Sequence, residues 1–227
     1  MEKYKLKKIL IDGTPFEYKE FPLSYATSSP ITLEDATNLL AKVKKLFDAK
    51  KLDFYLAYGT LLGAVREKGL IPGDEDVDVF VRDEKLLYSM LPYLEDNGLH
   101  LIRLIKGNTY SFRLGDYGYI DVYILRPLKY AIWMPYCYSL CNMVTPKKYF
   151  KEYQDIVFLG VSCKCPKNPE KLLAFWYGNS WRTPIRGHKF FYEVKSAYYW
   201  HSRILPLIKS IILYDIWCDK AKKMMNR

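Results

Sequence analysis

The 227-residue chain predicts an α+β fold, a mixed β-sheet flanked by helices, with a basic and aromatic C-terminal extension. Three observations carry that expectation. An amphipathic stripe at Leu39, Leu40, Val43, Leu46 and Phe47 has helical spacing with lysines opposite, so it should pack on a sheet. Apolar runs with a period of two recur between residues 53 and 125. Glycine-bearing turns at Gly107-Asn108 and at Gly115 to Gly118 join three of those runs into an antiparallel meander.

Taken in order, Asp12-Gly13 is a turn dipeptide inside Ile9 to Tyr18 and predicts a small hairpin, followed by an irregular stretch ending at Pro30. Thr32 and Asp35 form a capping pair that opens the first helix. A strand follows at Asp53 to Ala57, and Gly59-Thr60 then opens a short helix through Arg66. Gly69 to Glu75 is a loop, and the next strand runs from Val77 to Val81. Asp83 caps a helix whose apolar positions, Leu86 to Leu94, keep helical spacing until Gly98. Leu99 to Ile105, Thr109 to Leu114 and Tyr119 to Leu125 read as the meander strands. One further strand is expected at Ile156 to Cys165, and a helix at Pro169 to Tyr177, capped by Asn168 and ended by Gly178. The domain division expected is a lead-in over residues 1–30, a main domain over 31–185, and an extension over 186–227 carrying an Ile and Leu stripe from Ile204 to Ile216.

Thirty-five basic against twenty-five acidic residues give a formal charge of +10, which favours anionic partners: nucleotides, nucleic acid or a phospholipid surface. No apolar stretch reaches the length of a membrane span and the first residues lack the apolar core of a signal peptide, so a cytoplasmic protein is expected. Five cysteines are then expected to be reduced. Cys163 and Cys165 would share one side of a strand and Cys137 and Cys141 one side of a helix, a set that a zinc ion can use.

The segment GTLLGAVREKGLIPGDEDVDVFV, residues 59–81, concentrates four carboxylates, Asp74, Glu75, Asp76 and Asp78, in a chain rich in lysine and arginine. Such crowding is tolerable in a solvated turn or around a cation. Alternation puts Asp76, Asp78 and Phe80 on one face of the strand, about 7 Å between successive acids, and Val77, Val79 and Val81 on the other. In the later strand Asp121 stands alone among Ile120, Val122 and Ile124, an expensive position for an acid without a partner. If the two strands are neighbours, Asp76, Asp78 and Asp121 form a three-carboxylate metal site. Upstream, Gly59 and Thr60 are placed to bind phosphate at a helix start, with Arg66 and Arg113 as further phosphate ligands. A phosphate cradle beside a divalent metal is the equipment of phosphoryl or nucleotidyl transfer.

These blocks resemble the LicD/fukutin family, whose members typically read Y-G-T-L-L-G-x-x-R, then G-x-I-P, then W-D-D-D-x-D-V. YIDVYIL is similar to the family's third acidic strand, and PEKLLAFWYGNSWRTP to its downstream signature, so the resemblance covers roughly residues 33–185. It implies a polymerase-beta-type nucleotidyltransferase fold, dependence on Mg²⁺ or Mn²⁺, and transfer of a phosphorylated alcohol such as phosphocholine from a CDP-linked donor to a hydroxyl of a cell-surface glycan, with release of CMP. By position it gives Asp76, Asp78 and Asp121 the metal role and Gly59 and Thr60 the phosphate role. Asp74 or Glu75 is the candidate base. Three positions depart from the pattern: Gly73 replaces Trp, Glu75 replaces the middle Asp, and Glu67 stands where His is common.

Two other classes remain. One is a nucleotidyltransferase that uses an NTP and releases pyrophosphate. The other is a non-catalytic basic module for nucleic acid, which is not the expected partner because it leaves the three strand acids without purpose. The C-terminal stripe predicts either packing on the main domain or peripheral contact with a membrane that carries a lipid-linked acceptor.

Overall fold

The computed structural model describes residues 4–23, 29–115, 118–127, 137–140 and 143–184. The extension over 186–227, with its Ile204 to Ile216 stripe, lies outside the described residues, as does Cys141. The chain divides into two units, Met1–Lys167 and Asn168–Arg227.

In the first unit, β1 (Lys5–Ile11) and β2 (Thr14–Glu20) form the expected hairpin. Its turn needs left-handed backbone at both central residues, which Asp12 (φ 50°) and Gly13 (φ 82°) supply. Helix α1 (Leu33–Ala49) starts where Thr32 accepts the Asp35 N–H, and buries Ala36, Leu39, Leu40, Val43, Leu46 and Phe47. Each large apolar side chain of that stripe contributes about 1.5–3 kcal/mol on leaving water.

A nine-stranded sheet forms the body of the unit. Seven strands run in the order β10-β11-β3-β4-β7-β6-β5, with β8 and β9 continuing from β7. The strands are β3 (Phe54–Leu56), β4 (Asp76–Val81), β5 (His100–Ile105), β6 (Thr109–Arg113), β7 (Tyr119–Pro127), β8 (Cys137–Leu140), β9 (Met143–Pro146), β10 (Tyr153–Phe158) and β11 (Val161–Pro166). The predicted meander is β5-β6-β7, antiparallel throughout. β4 lies parallel to β7, and β3 antiparallel to β4, so the sheet is mixed as expected.

The two faces differ. Helix α1 crosses β11, β4 and β7, and the Phe47 ring meets Phe54 edge-on at 6.0 Å. Val77, Val79 and Val81 alternate with the acids of β4 and are wholly buried. On the opposite face Tyr55 stacks on Phe80 at 4.9 Å, and Phe80 meets Phe150 edge-on. That second face carries Asp76, Asp78 and Asp121.

Four local expectations need correction. The helix predicted from Asp83 to Gly98 is two short ones, α3 (Glu84–Ser89) and α4 (Leu91–Asp96), because Pro92 has no N–H to continue the ladder. The strand predicted over 156–165 is a hairpin, β10-β11, turned by Leu159 (φ 51°) and Gly160 (φ 75°). Residues 137–140 form β8 rather than a helix, and β9 was not foreseen. Asn168 precedes α5 (Pro169–Tyr177) in the second unit as expected, but its carbonyl rather than its side chain accepts the first N–H groups. Gly178 (φ 82°) ends that helix.

No helix among the described residues is long and apolar enough to cross a membrane.

Candidate metal centre

The parallel pairing of β4 with β7 sets Asp78 directly beside Asp121 and Asp76 beside Tyr119. Alternation then turns Asp76, Asp78 and Asp121 to one face, and an oxygen from each lies within 4.8 Å of the others. All three are buried, Asp121 completely. The loop between α2 (Tyr58–Leu62) and β4 adds Asp74 to the same field.

The surroundings are made for charge. The Gly59 N–H donates to Asp78 Oδ2 at 3.1 Å, and Thr60 Oγ1 accepts the Asp78 N–H at 2.7 Å, so the start of α2 is fastened to the acidic strand. The Tyr123 hydroxyl lies 3.2 Å from both Asp78 Oδ1 and Asp121 Oδ2. On the far side of Asp121, Arg103 Nη2 reaches Oδ2 at 2.7 Å and the Ser111 hydroxyl donates to Oδ1. The Gly59 backbone approaches the acids closely: a Cβ there would stand 3.0 Å from Asp74 Oδ2 and 3.3 Å from Asp78 Oδ2. At Gly63, where α2 runs on as a π-turn (Gly63–Glu67), a Cβ meets the Gly69 carbonyl oxygen at 2.5 Å. The Gly69 N–H donates to the Gly63 carbonyl at 3.4 Å, so the start of the 69–75 loop passes close to this turn.

Burial pushes the Asp76 carboxyl well above the ordinary carboxylate range, and the charges of Asp78, Asp121 and Asp74 push it further, against a hydrogen bond from Tyr119. Asp78 is raised by burial and then by Asp74 and Asp121, against hydrogen bonds from Tyr123 and the Gly59 N–H. Three hard oxygen donors that repel one another fit a divalent cation such as Mg²⁺ or Mn²⁺, whose charge reverses the penalty.

Residues 51–168, just over half of the chain, match the family described as LicD/FKTN/FKRP, nucleotidyltransferase domain. The chain belongs to the LicD family. Among curated relatives, the lipopolysaccharide cholinephosphotransferase LicD of Haemophilus influenzae is 46% identical over 48 residues, 21% of this chain and 18% of that protein. An uncharacterized protein of Rickettsia prowazekii is 37% identical over 62 residues, 26% of this chain and 23% of that one. The aligned stretches thus span less than a quarter of either relative. Among solved structures, the lincosamide antibiotic adenylyltransferase LnuA aligns with 16% identity and a TM-score of 0.43 over 63% of this chain and 85% of its own. The antibiotic-resistance factor ANT(2'')-Ia aligns with 14% identity and a TM-score of 0.47 over 70% and 80%.

Arg66 and Arg113, expected as phosphate ligands, each have a neighbour within this LicD-family chain. Arg66 Nε bonds Glu67 at 2.6 Å, so the glutamate that departs from the family pattern holds that arginine. Arg113 lies on β6, outside β7 in the sheet, with its guanidinium 5.1 Å from the Phe21 ring centre. Gly59 and Thr60, expected to bind phosphate, each hydrogen-bond Asp78. The sequence reading missed Tyr123, Ser111 and Arg103. Tyr123 was legible, since alternation puts it on the face of Asp121, but Arg103 was not.

Proposed function

We propose that this chain transfers a phosphorylated alcohol, phosphocholine-like, from a CDP-linked donor to a hydroxyl of a cell-surface glycan and releases CMP. The observation that carries this reading is the convergence of Asp76, Asp78 and Asp121 on one buried point of a LicD-family domain. The donor class and the glycan acceptor follow the family and the lipopolysaccharide cholinephosphotransferase of Haemophilus influenzae that the chain resembles. A lipid-linked acceptor met from the cytoplasmic side of a membrane is part of the same proposal.

Asp76, Asp78 and Asp121 would hold Mg²⁺ or Mn²⁺. Such an ion, when bound, supplies positive charge to the donor diphosphate and to the departing oxygen. The chain's own residues do the rest. Gly59 and Thr60 fix Asp78, Tyr123 spans Asp78 and Asp121, and burial of all three acids excludes competing water. The acceptor oxygen bonds to the distal phosphorus as the bond from that phosphorus to the bridging oxygen breaks and CMP leaves. The hydroxyl proton passes to Asp74 or Glu75 in the loop before β4.

A panel of CDP-alcohols, with CTP and ATP as controls, tests the reading in Mg²⁺ with a glycan acceptor. Release of CMP from one CDP-alcohol, dependent on acceptor, is the expected result. Pyrophosphate release from CTP or ATP with no CMP from any CDP-alcohol overturns it in favour of nucleotidyl transfer.

A further inference from the structure

The side chain that meets Asp121 from across the sheet is carried there by an irregularity. β5 and β6 pair His100 with Arg113 and Leu101 with Phe112, then Arg103 with Ser111 and Leu104 with Tyr110, so Ile102 is the extra residue of a β-bulge. A regular strand puts residues 101 and 103 on one face. Here the bulge reverses the parity: Leu101 stays opposite Phe112 among the apolar side chains, while Arg103 joins Ser111 on the acidic face. Ile102 is buried and its carbonyl accepts the Phe21 N–H at 3.0 Å, which anchors the bulge from the hairpin side.

The outcome is a polar row across four strands in register: Asp78, Asp121, Ser111, Arg103. Arg103 spans its last two neighbours, with Nη2 on Asp121 Oδ2 at 2.7 Å and Nε on Ser111 Oγ at 2.9 Å, while Ser111 donates to Asp121 Oδ1. The carboxylate is wholly buried and the arginine side chain is 23% exposed. Its guanidinium is fixed in charge at any physiological pH.

We propose that Arg103 is a positioning residue and resident counter-charge of the acidic centre: it holds Asp121 in one orientation, keeps the cation-free centre folded, and weakens the centre's grip on divalent ions. The proposal rests on the metal-centre reading above. The guanidinium offsets one carboxylate charge of the centre, so an arriving divalent cation meets a weaker field than the bare acids provide. A loosely held ion suits a site that must exchange it together with a diphosphate donor and its product.

The full chain with R103M, R103K and S111A substitutions is melted in EDTA, and Mn²⁺ binding is measured from the electron paramagnetic resonance of the unbound ion. R103M should melt about 6–12 °C lower without metal, since it strands a buried carboxylate, yet bind Mn²⁺ about tenfold more tightly. R103K keeps the charge and should return Mn²⁺ affinity to the parent value. S111A removes two hydrogen bonds, the one accepted from Arg103 Nε and the one donated to Asp121 Oδ1, and should melt lower with affinity unchanged. If R103M does not fold, R103Q, which keeps amide donors but no charge, gives the same reading. Should the parent bind Mn²⁺ and the neutral variant bind it no more tightly, the counter-charge proposal alone falls. Absence of Mn²⁺ binding by parent and variant alike removes the metal-centre reading and this proposal together.

Discussion

Strands β4 and β11 use the same device, a titratable side chain at every second position, and arrive at opposite chemistry. On β4, Asp76 and Asp78 face away from α1 and meet the Gly59 N–H and the hydroxyls of Tyr119 and Tyr123. On β11, Cys163 and Cys165 are as deeply buried; Cys163 feels the charges of Lys44 and Asp48 on α1, which places the pair on the helix-covered face. Burial pushes the Cys163 thiol up to about 12 and the Cys165 thiol to about 11. In the metal-free chain burial thus favours the protonated thiols over thiolates. Among the described residues the only group spaced to hold a metal is the acidic one. Alternation tells which side chains share a face; the donors on the neighbouring strands tell whether a charge belongs there.

Exchanging the two characters breaks or confirms that contrast. The largest effect expected is on turnover: replacing Asp76 and Asp78 by Asn should lower CMP release at least about 10³-fold, roughly 4 kcal/mol of barrier. The melting temperature in EDTA should hold or rise, because the substitutions remove mutually repelling buried charges. A melt several degrees lower would show the acids to be structural. The reciprocal change, Cys165→Asp, places a carboxylate where no cation is provided and should cost about 3 kcal/mol or more in urea-unfolding stability. A stability equal to the parent's would mean that the thiol face accommodates charge after all, and the contrast between the strands would be lost.

Much of the acidic strand was legible because its signals are local. A period of two aligned Asp76 with Asp78, the lone Asp121 in an apolar run advertised a partner, and Thr32 and Asp83 marked helix starts that the structure keeps. The illegible parts depend on single residues that change parity or interrupt a pattern. Unbroken alternation from Leu99 points Arg103 at the core with Leu101, and only the bulge at Ile102 turns it to Asp121. Pro92 broke a helix whose apolar spacing ran straight through it, and Leu159-Gly160 folded in two a run that read as one strand. The parallel neighbourhood of β4 and β7 joins segments about forty residues apart, which no local pattern fixes; the matched acids were its one trace.

The smallest effects belong to the thiol side. Cys163→Ala removes a buried sulfur without stranding a polar partner, so it should cost about 1 kcal/mol in stability. Turnover should be unchanged, since Cys163 lies on the face opposite the acids. Reactivity gives the sharper reading, because iodoacetamide attacks the thiolate and burial holds both thiols far above neutral pH. Peptide mapping by mass spectrometry after brief alkylation at pH 7 should find Cys163 and Cys165 unmodified in the native chain and labelled after denaturation. Raising the pH toward 9 while the chain stays folded should change little, since both thiols remain protonated there. Rapid native labelling at pH 7 would mean that a thiolate is stabilised on β11, and would reopen the metal role for its cysteines.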